Sequence, residues 1–89
     1  TSMRQKIQEK LKQHLKTTIL NLRSEKCLTQ EQMASELWME RRSYADLESG
    51  KNMMGLITFL RLLFLLDNPQ NFLSEIQKIF LAAEHDEAA

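Results

Sequence analysis

The stretch Thr29 to Lys51, TQEQMASELWMERRSYADLESGK, constrains the chain most, because it reads as two short helices joined by a tight turn. Thr29 followed three positions later by Gln32 is a capping-box signature, which starts a helix with Met33, Ala34 and Leu37 on one face. A second helix starts near Arg41. At 100° per residue, Arg41, Arg42, Ala45, Asp46 and Ser49 share one arc while Tyr44 and Leu47 point the other way. One face is therefore built to pack and the other is free to read something.

The run Thr29-Gln30-Glu31-Gln32-Met33-Ala34, the turn, the second helix and the closing Glu48-Ser49-Gly50-Lys51 resemble the helix-turn-helix of the phage-repressor and Xre family of bacterial DNA-binding regulators. The likeness runs back to Leu22-Arg23 and forward through Leu66. It implies an all-α, compact five-helix lambda-repressor-like domain, with an N-terminal helical extension and a C-terminal amphipathic helix. In that frame residues 1–14 are the extension leading into the first helix, and 15–66 the DNA-binding domain. Residues 67–83 form a packing or dimerisation helix and 84–89 an acidic tail.

The resemblance assigns roles residue by residue. Arg41 and Arg42 match positions that in relatives point into the DNA major groove, and Ser43, Ala45 and Asp46, close by on the helix, are expected to contact bases with them. Arginine suits this task because its planar fork donates two bonds to guanine O6 and N7. Ala45 suits a thymine methyl, and Asp46 either accepts from cytosine N4 or orients Arg42 four residues earlier. Gln30, Lys51 and Lys16 are the expected phosphate contacts, Gln30 at a helix N-terminus where backbone N–H groups already favour anions. Arg23 and Glu48 match a family ion pair tying the first helix to the end of the reading helix. The alternative for each exposed residue is an ordinary solvated side chain.

Two positions depart from the family. Trp38 stands where Gly is common, and a left-handed backbone there costs a side-chain-bearing residue about 1–2 kcal/mol. Glu40 stands where Ser or Thr caps the helix and bonds phosphate; it caps less well and repels phosphate. Either the turn is rebuilt, with Trp38 covering an apolar surface, or the second helix sits less deeply in a groove.

Charge gives a mixed answer. The formal net charge is zero, whereas non-specific DNA affinity comes largely from neutralising phosphates. The distribution is uneven: residues 1–26 carry seven Lys/Arg against two Glu, and the rest of the chain is net acidic. Phosphate attraction then falls to the N-terminal third and to the two arginines.

With two Gly and one Pro among 89 residues, the remainder also reads as helix. Met3 to Lys26 is expected as one helix, with Met3, Ile7, Leu11, Leu15, Ile19 and Leu22 at helical spacing. Its early part either lengthens the first helix as a solvated end, contacts DNA backbone or joins a dimer. Leu56, Phe59, Leu60, Leu63 and Leu66 form the expected core stripe of the next helix, with Ile57, Leu62, Phe64 and Leu65, also apolar, partly off it. Asn68-Pro69 starts a last helix with Phe72, Leu73, Ile76, Ile79 and Phe80 on one face. That helix is expected to cover the surplus apolar surface of its predecessor. Phe64, Leu65, Phe72, Ile76, Ile79 and Phe80 are then the expected homodimer interface, with intramolecular packing as the alternative. Residues 82–89 are expected to fray.

No enzyme signature or metal-ligand spacing is found, and no cofactor is expected. The lone Cys27 is expected to pack at least half-buried, His14 and His85 to lie on the surface, and Thr1-Ser2 to be a cloning remnant. The charged N-terminus lacks a secretory pattern, and a reducing cytoplasm suits a single cysteine. The expected function is a dimeric, sequence-specific regulator, more precisely a repressor, on a pseudo-palindromic double-stranded DNA site. The alternative is a protein-interaction module or antitoxin-like subunit of the same fold with weak or lost DNA binding.

Overall fold

The computed structural model describes residues 2–88, with side chains through residue 85, and contains five helices and no strand among them. They are α1 (Met3–Lys26), α2 (Gln30–Glu36), α3 (Arg41–Glu48), α4 (Leu56–Leu65) and α5 (Pro69–Ala88). Thr1 and Ala89 lie outside the described residues.

Local chemistry explains the boundaries. Ser2 is a working cap: its hydroxyl accepts from Gln5 N–H at 3.2 Å, and the Gln5 side chain returns the bond to Ser2 N–H at 3.2 Å. Thr29 and Gln32 make the same reciprocal pair at the start of α2, at 3.1 and 2.9 Å. Glu40 precedes α3 without a side-chain capping bond, consistent with its weakness in that role.

Three helices end alike. After α3, Gly50 adopts φ 78°, its N–H bonds Leu47 O at 3.2 Å and the next N–H bonds Asp46 O at 3.0 Å. This is the Schellman arrangement, which satisfies carbonyls the helix leaves open and calls for a left-handed residue. Cys27 at φ 55° does the same after α1, and Trp38 at φ 59° after α2. Both helix ends thus carry backbone strain at a residue bearing a side chain, Trp38 in the α2–α3 turn and Cys27 after α1. Cys27 is exposed rather than packed, because its left-handed backbone turns it off the helix end. Replacing Cys27 with glycine is expected to raise the unfolding free energy by about 0.5–1 kcal/mol, as relieved strain outweighs the added flexibility of the unfolded chain. Urea titration of the two proteins measures it.

The core gathers Leu15, Ile19 and Leu22 of α1, Met33 and Ala34 of α2, Leu37, Tyr44 and Leu47, Leu62 of α4 and Phe72 of α5. Four expectations are corrected here. In α4 the innermost residue is Leu62, while Leu56 and Leu60 are exposed. And α5 packs chiefly along α1 rather than over α4. Phe72 explains this: its ring stacks on His14 with centroids 4.9 Å apart and meets Phe59 at 5.8 Å. His14 is accordingly half-buried, with Nε2 3.3 Å from Phe72 O, and not a surface residue. α5 also continues to Ala88, so the expected fraying from residue 82 is not seen.

The expected dimer surface divides in consequence. Phe72 is buried within the chain, and Leu65, Ile76 and Ile79 are half-buried, the first two against the core. Phe64 on α4 and Phe80 on α5 remain exposed. No helix among the described residues is long and apolar enough to cross a membrane.

Candidate nucleic-acid interface

α3 has two unlike faces. Tyr44, Leu47 and Glu48 are buried, while Arg41, Arg42 and Ser43 are exposed and Ala45 and Asp46 half-exposed. The sequence arc is therefore realised in three dimensions. No ion pair engages Arg41 or Arg42 among the described residues, so both guanidinium groups keep their donors for an external acceptor.

What fixes the angle of α3 is a short polar chain behind it. Arg23 Nε of α1 donates to Glu48 Oε1 at 2.8 Å, and Arg23 Nη1 donates to Leu28 O at 3.1 Å. Gln30 Nε2 donates to the other carboxylate oxygen of Glu48 at 3.3 Å. One buried carboxylate thus joins α1, the start of α2 and the end of α3. The hydrogen bond to Glu48 holds the Arg23 proton more tightly than usual. Gln30 braces α3 from behind, and its amide nitrogen is already committed to Glu48.

Tyr44 lies against this chain. It is fully buried, and its hydroxyl has no hydrogen-bond partner among the described residues. Burial, reinforced by the Glu48 charge, pushes its ionisation well above the normal phenol range, so it stays neutral. A buried hydroxyl left unpaired costs about 1–3 kcal/mol. Tyr44→Phe is therefore expected to leave stability unchanged or raise it by about 1 kcal/mol, as read by chemical denaturation. A clear loss would show that the hydroxyl bonds Arg23 or Glu48.

Asp46 does not orient Arg42. Its carboxylate accepts from Asn52 Nδ2 at 3.5 Å, and its carbonyl takes the N–H of Lys51 at 3.0 Å and the hydroxyl of Ser49 at 3.0 Å. It organises the loop after α3, which fixes where the exposed Lys51 leaves the fold.

Lys16 lies beside the C-terminal end of α3. With Lys12, Glu9 and Gln13 of α1 it lines a shallow depression whose far wall is Ser49 and Gly50. Lys12 is the residue sequence reasoning passed over, although its spacing of four from Lys16 puts both on one side of α1. Arg41 and Arg42 thus stand at the first turn of α3, and Lys12, Lys16 and Lys51 near its last. With its side chains α3 is about 10–12 Å across, which a major groove about 12 Å wide admits.

Arg61 was also unassigned by the sequence reading. Its Nε donates to Glu36 O at 2.8 Å, tying α4 to the end of α2. Its guanidinium carbon lies 4.2 Å from the centre of the Trp38 ring and 5.2 Å from that of Phe64. Trp38 thus covers no buried apolar surface; it stands exposed beside α3 and stacks on a cation. The only charge in α4, in a run otherwise nearly all apolar, was the available signal.

Compared with known proteins, the chain matches no family model, and neither the curated proteins nor the solved structures give a significant match.

Proposed function

We propose that this protein is a sequence-specific double-stranded DNA-binding transcriptional regulator of lambda-repressor-like architecture, acting as a dimeric repressor in the cytoplasm. The observation that carries the reading is the split of α3: Tyr44 and Leu47 buried, Arg41 and Arg42 exposed and unpaired among the described residues, with Glu48 braced from behind by Arg23 and Gln30. Such a helix enters a groove as a rigid body, so only the arginine side chains, and not the backbone that carries them, have to be ordered at the base edges. In this reading Lys12, Lys16 and Lys51 meet phosphates, which set register, while Arg41 and Arg42 supply sequence preference. Two copies about a two-fold axis place their α3 helices in successive major grooves about 34 Å apart, hence a pseudo-palindromic site.

Selection of genomic DNA fragments on the purified protein, at low and at physiological salt, tests this. Enrichment of a two-fold-symmetric sequence is the expected result. Failure to enrich at both salts overturns the proposal and favours the second reading, a helix-turn-helix protein-interaction module or antitoxin-like subunit. The apolar residues exposed on α4, together with Glu40 at the head of α3, are what support that alternative.

A further inference from the structure

The outer face of α4 is the largest unexplained feature of the surface. Ile57 (70% exposed), Leu60 (51%) and Phe64 (78%) recur at i, i+3 and i+7, and Trp38 (70%) extends the stripe from the neighbouring turn. That spacing is the seam by which one helix seats against another. We infer that this seam is where a second copy of the chain docks, α4 against α4 about a two-fold axis, with the Trp38–Arg61–Phe64 stack at its centre.

Three observations suit a second copy. The first is area. The four apolar side chains expose about 450 Å² per copy, so a two-fold pair hides about 900 Å². That apolar patch alone is the larger part of the about 1,200–2,000 Å² in total that stable interfaces bury. The second is charge. Arg61 is the only ionised group of α4, and Glu36 lies 3.9 Å from it. The platform is neutral by itself, so two copies do not repel, and it holds no unspent charge with which to select an acidic or basic partner. The third is rigidity. Trp38 is held by its left-handed backbone and by Arg61, which in turn is anchored to Glu36 O. Exposed aromatics fixed in this way lose little freedom on docking.

The strained tryptophan acquires a purpose on this reading. Glycine would satisfy the turn at lower cost, but only a large side chain can complete the stack with Arg61. The inference rests on the proposed two-fold regulator for its purpose, and it gives that dimer a surface on α4 in place of the α5 residues.

Trp38 is the only tryptophan in the chain, so its fluorescence reports the docking directly. The full chain, free of DNA, is followed by sedimentation and by emission across a dilution series from high to low micromolar concentration. The expected wild-type result is a twofold fall in mass on dilution, with the emission maximum moving to the red as Trp38 meets water. Phe64→Glu is expected to be monomeric throughout with an unaltered helical spectrum, and Ile57→Lys serves as the second variant should the first fail to fold. Leu81→Glu, at an exposed position of α5, is expected to keep the dimer. A wild-type chain that stays monomeric with constant emission overturns the inference. So does a dimer that survives both α4 variants, or one that Leu81→Glu alone divides. Because no DNA is present, those outcomes are distinct from a failure of base reading, which fragment selection detects separately.

Discussion

Arg41→Ala/Arg42→Ala is expected to abolish sequence preference while leaving the fold intact. Both side chains are exposed at the first turn of α3, and exposed substitutions of this kind usually move stability by no more than about 0.5 kcal/mol. Each good bidentate pair with guanine supplies about 1–3 kcal/mol of discrimination. Losing two per copy thus removes about 2–6 kcal/mol, at least thirtyfold in affinity for the selected site. The residual binding should equal the affinity for unrelated DNA. Lys12→Ala/Lys16→Ala is expected to behave differently: all sequences weaken together, and the slope of log affinity against log salt becomes shallower by about 1 for each phosphate no longer neutralised. Fluorescence anisotropy on specific and scrambled duplexes at several salt concentrations separates the two patterns. If the arginine variant keeps both its affinity and its preference, α3 is not the reading element.

The parts of the fold legible in the sequence are those whose physics is local. The Thr29–Gln32 box joins groups three residues apart, and the two faces of α3 follow from its periodicity. The Arg23–Glu48 bond spans 25 residues; no spacing rule reaches that far, and it was legible only through the family resemblance. Nor could spacing find the involvement of Gln30 with Glu48, since a glutamine at a helix start looks the same whether it faces solvent or a carboxylate. The misread element is α4. In LITFLRLLFL nearly every position is apolar, so almost any arc resembles a core stripe and periodicity loses its power to choose. The helix is turned part-way from the expected stripe: Phe59, Leu63 and Leu66 pack against the core as expected, but Leu62 takes the innermost place and Leu56 and Leu60 face outward. The deciding contact was Phe72 on His14, which draws α5 to α1 and leaves the outer side of α4 uncovered. A tertiary choice between two apolar partners leaves no mark in either helix alone.

That rotation has a measurable consequence, because it exchanges the roles of two leucines six residues apart. Leu62 is fully buried in the cluster that contains Ile19, Met33, Tyr44 and Phe72, whereas Leu56 is exposed. Truncating a leucine with no access to solvent removes its transfer energy and leaves a cavity, a loss of about 2–5 kcal/mol. Truncating an exposed one changes stability by no more than about 0.5 kcal/mol. For a domain of this size each kcal/mol moves Tm by about 4–8 °C, so Leu62→Ala should melt at least about 8 °C lower and Leu56→Ala nearly unchanged. The loss is a large share of the total stability of about 5–15 kcal/mol that a small domain commands. The periodicity reading predicts the opposite order, with Leu56 in the stripe and Leu62 partly off it. Thermal melts of the two variants at low protein concentration therefore decide which side of α4 faces the core. Should Leu56→Ala prove the more damaging, the helix is turned, and with it falls the exposed Ile57–Leu60–Phe64 seam.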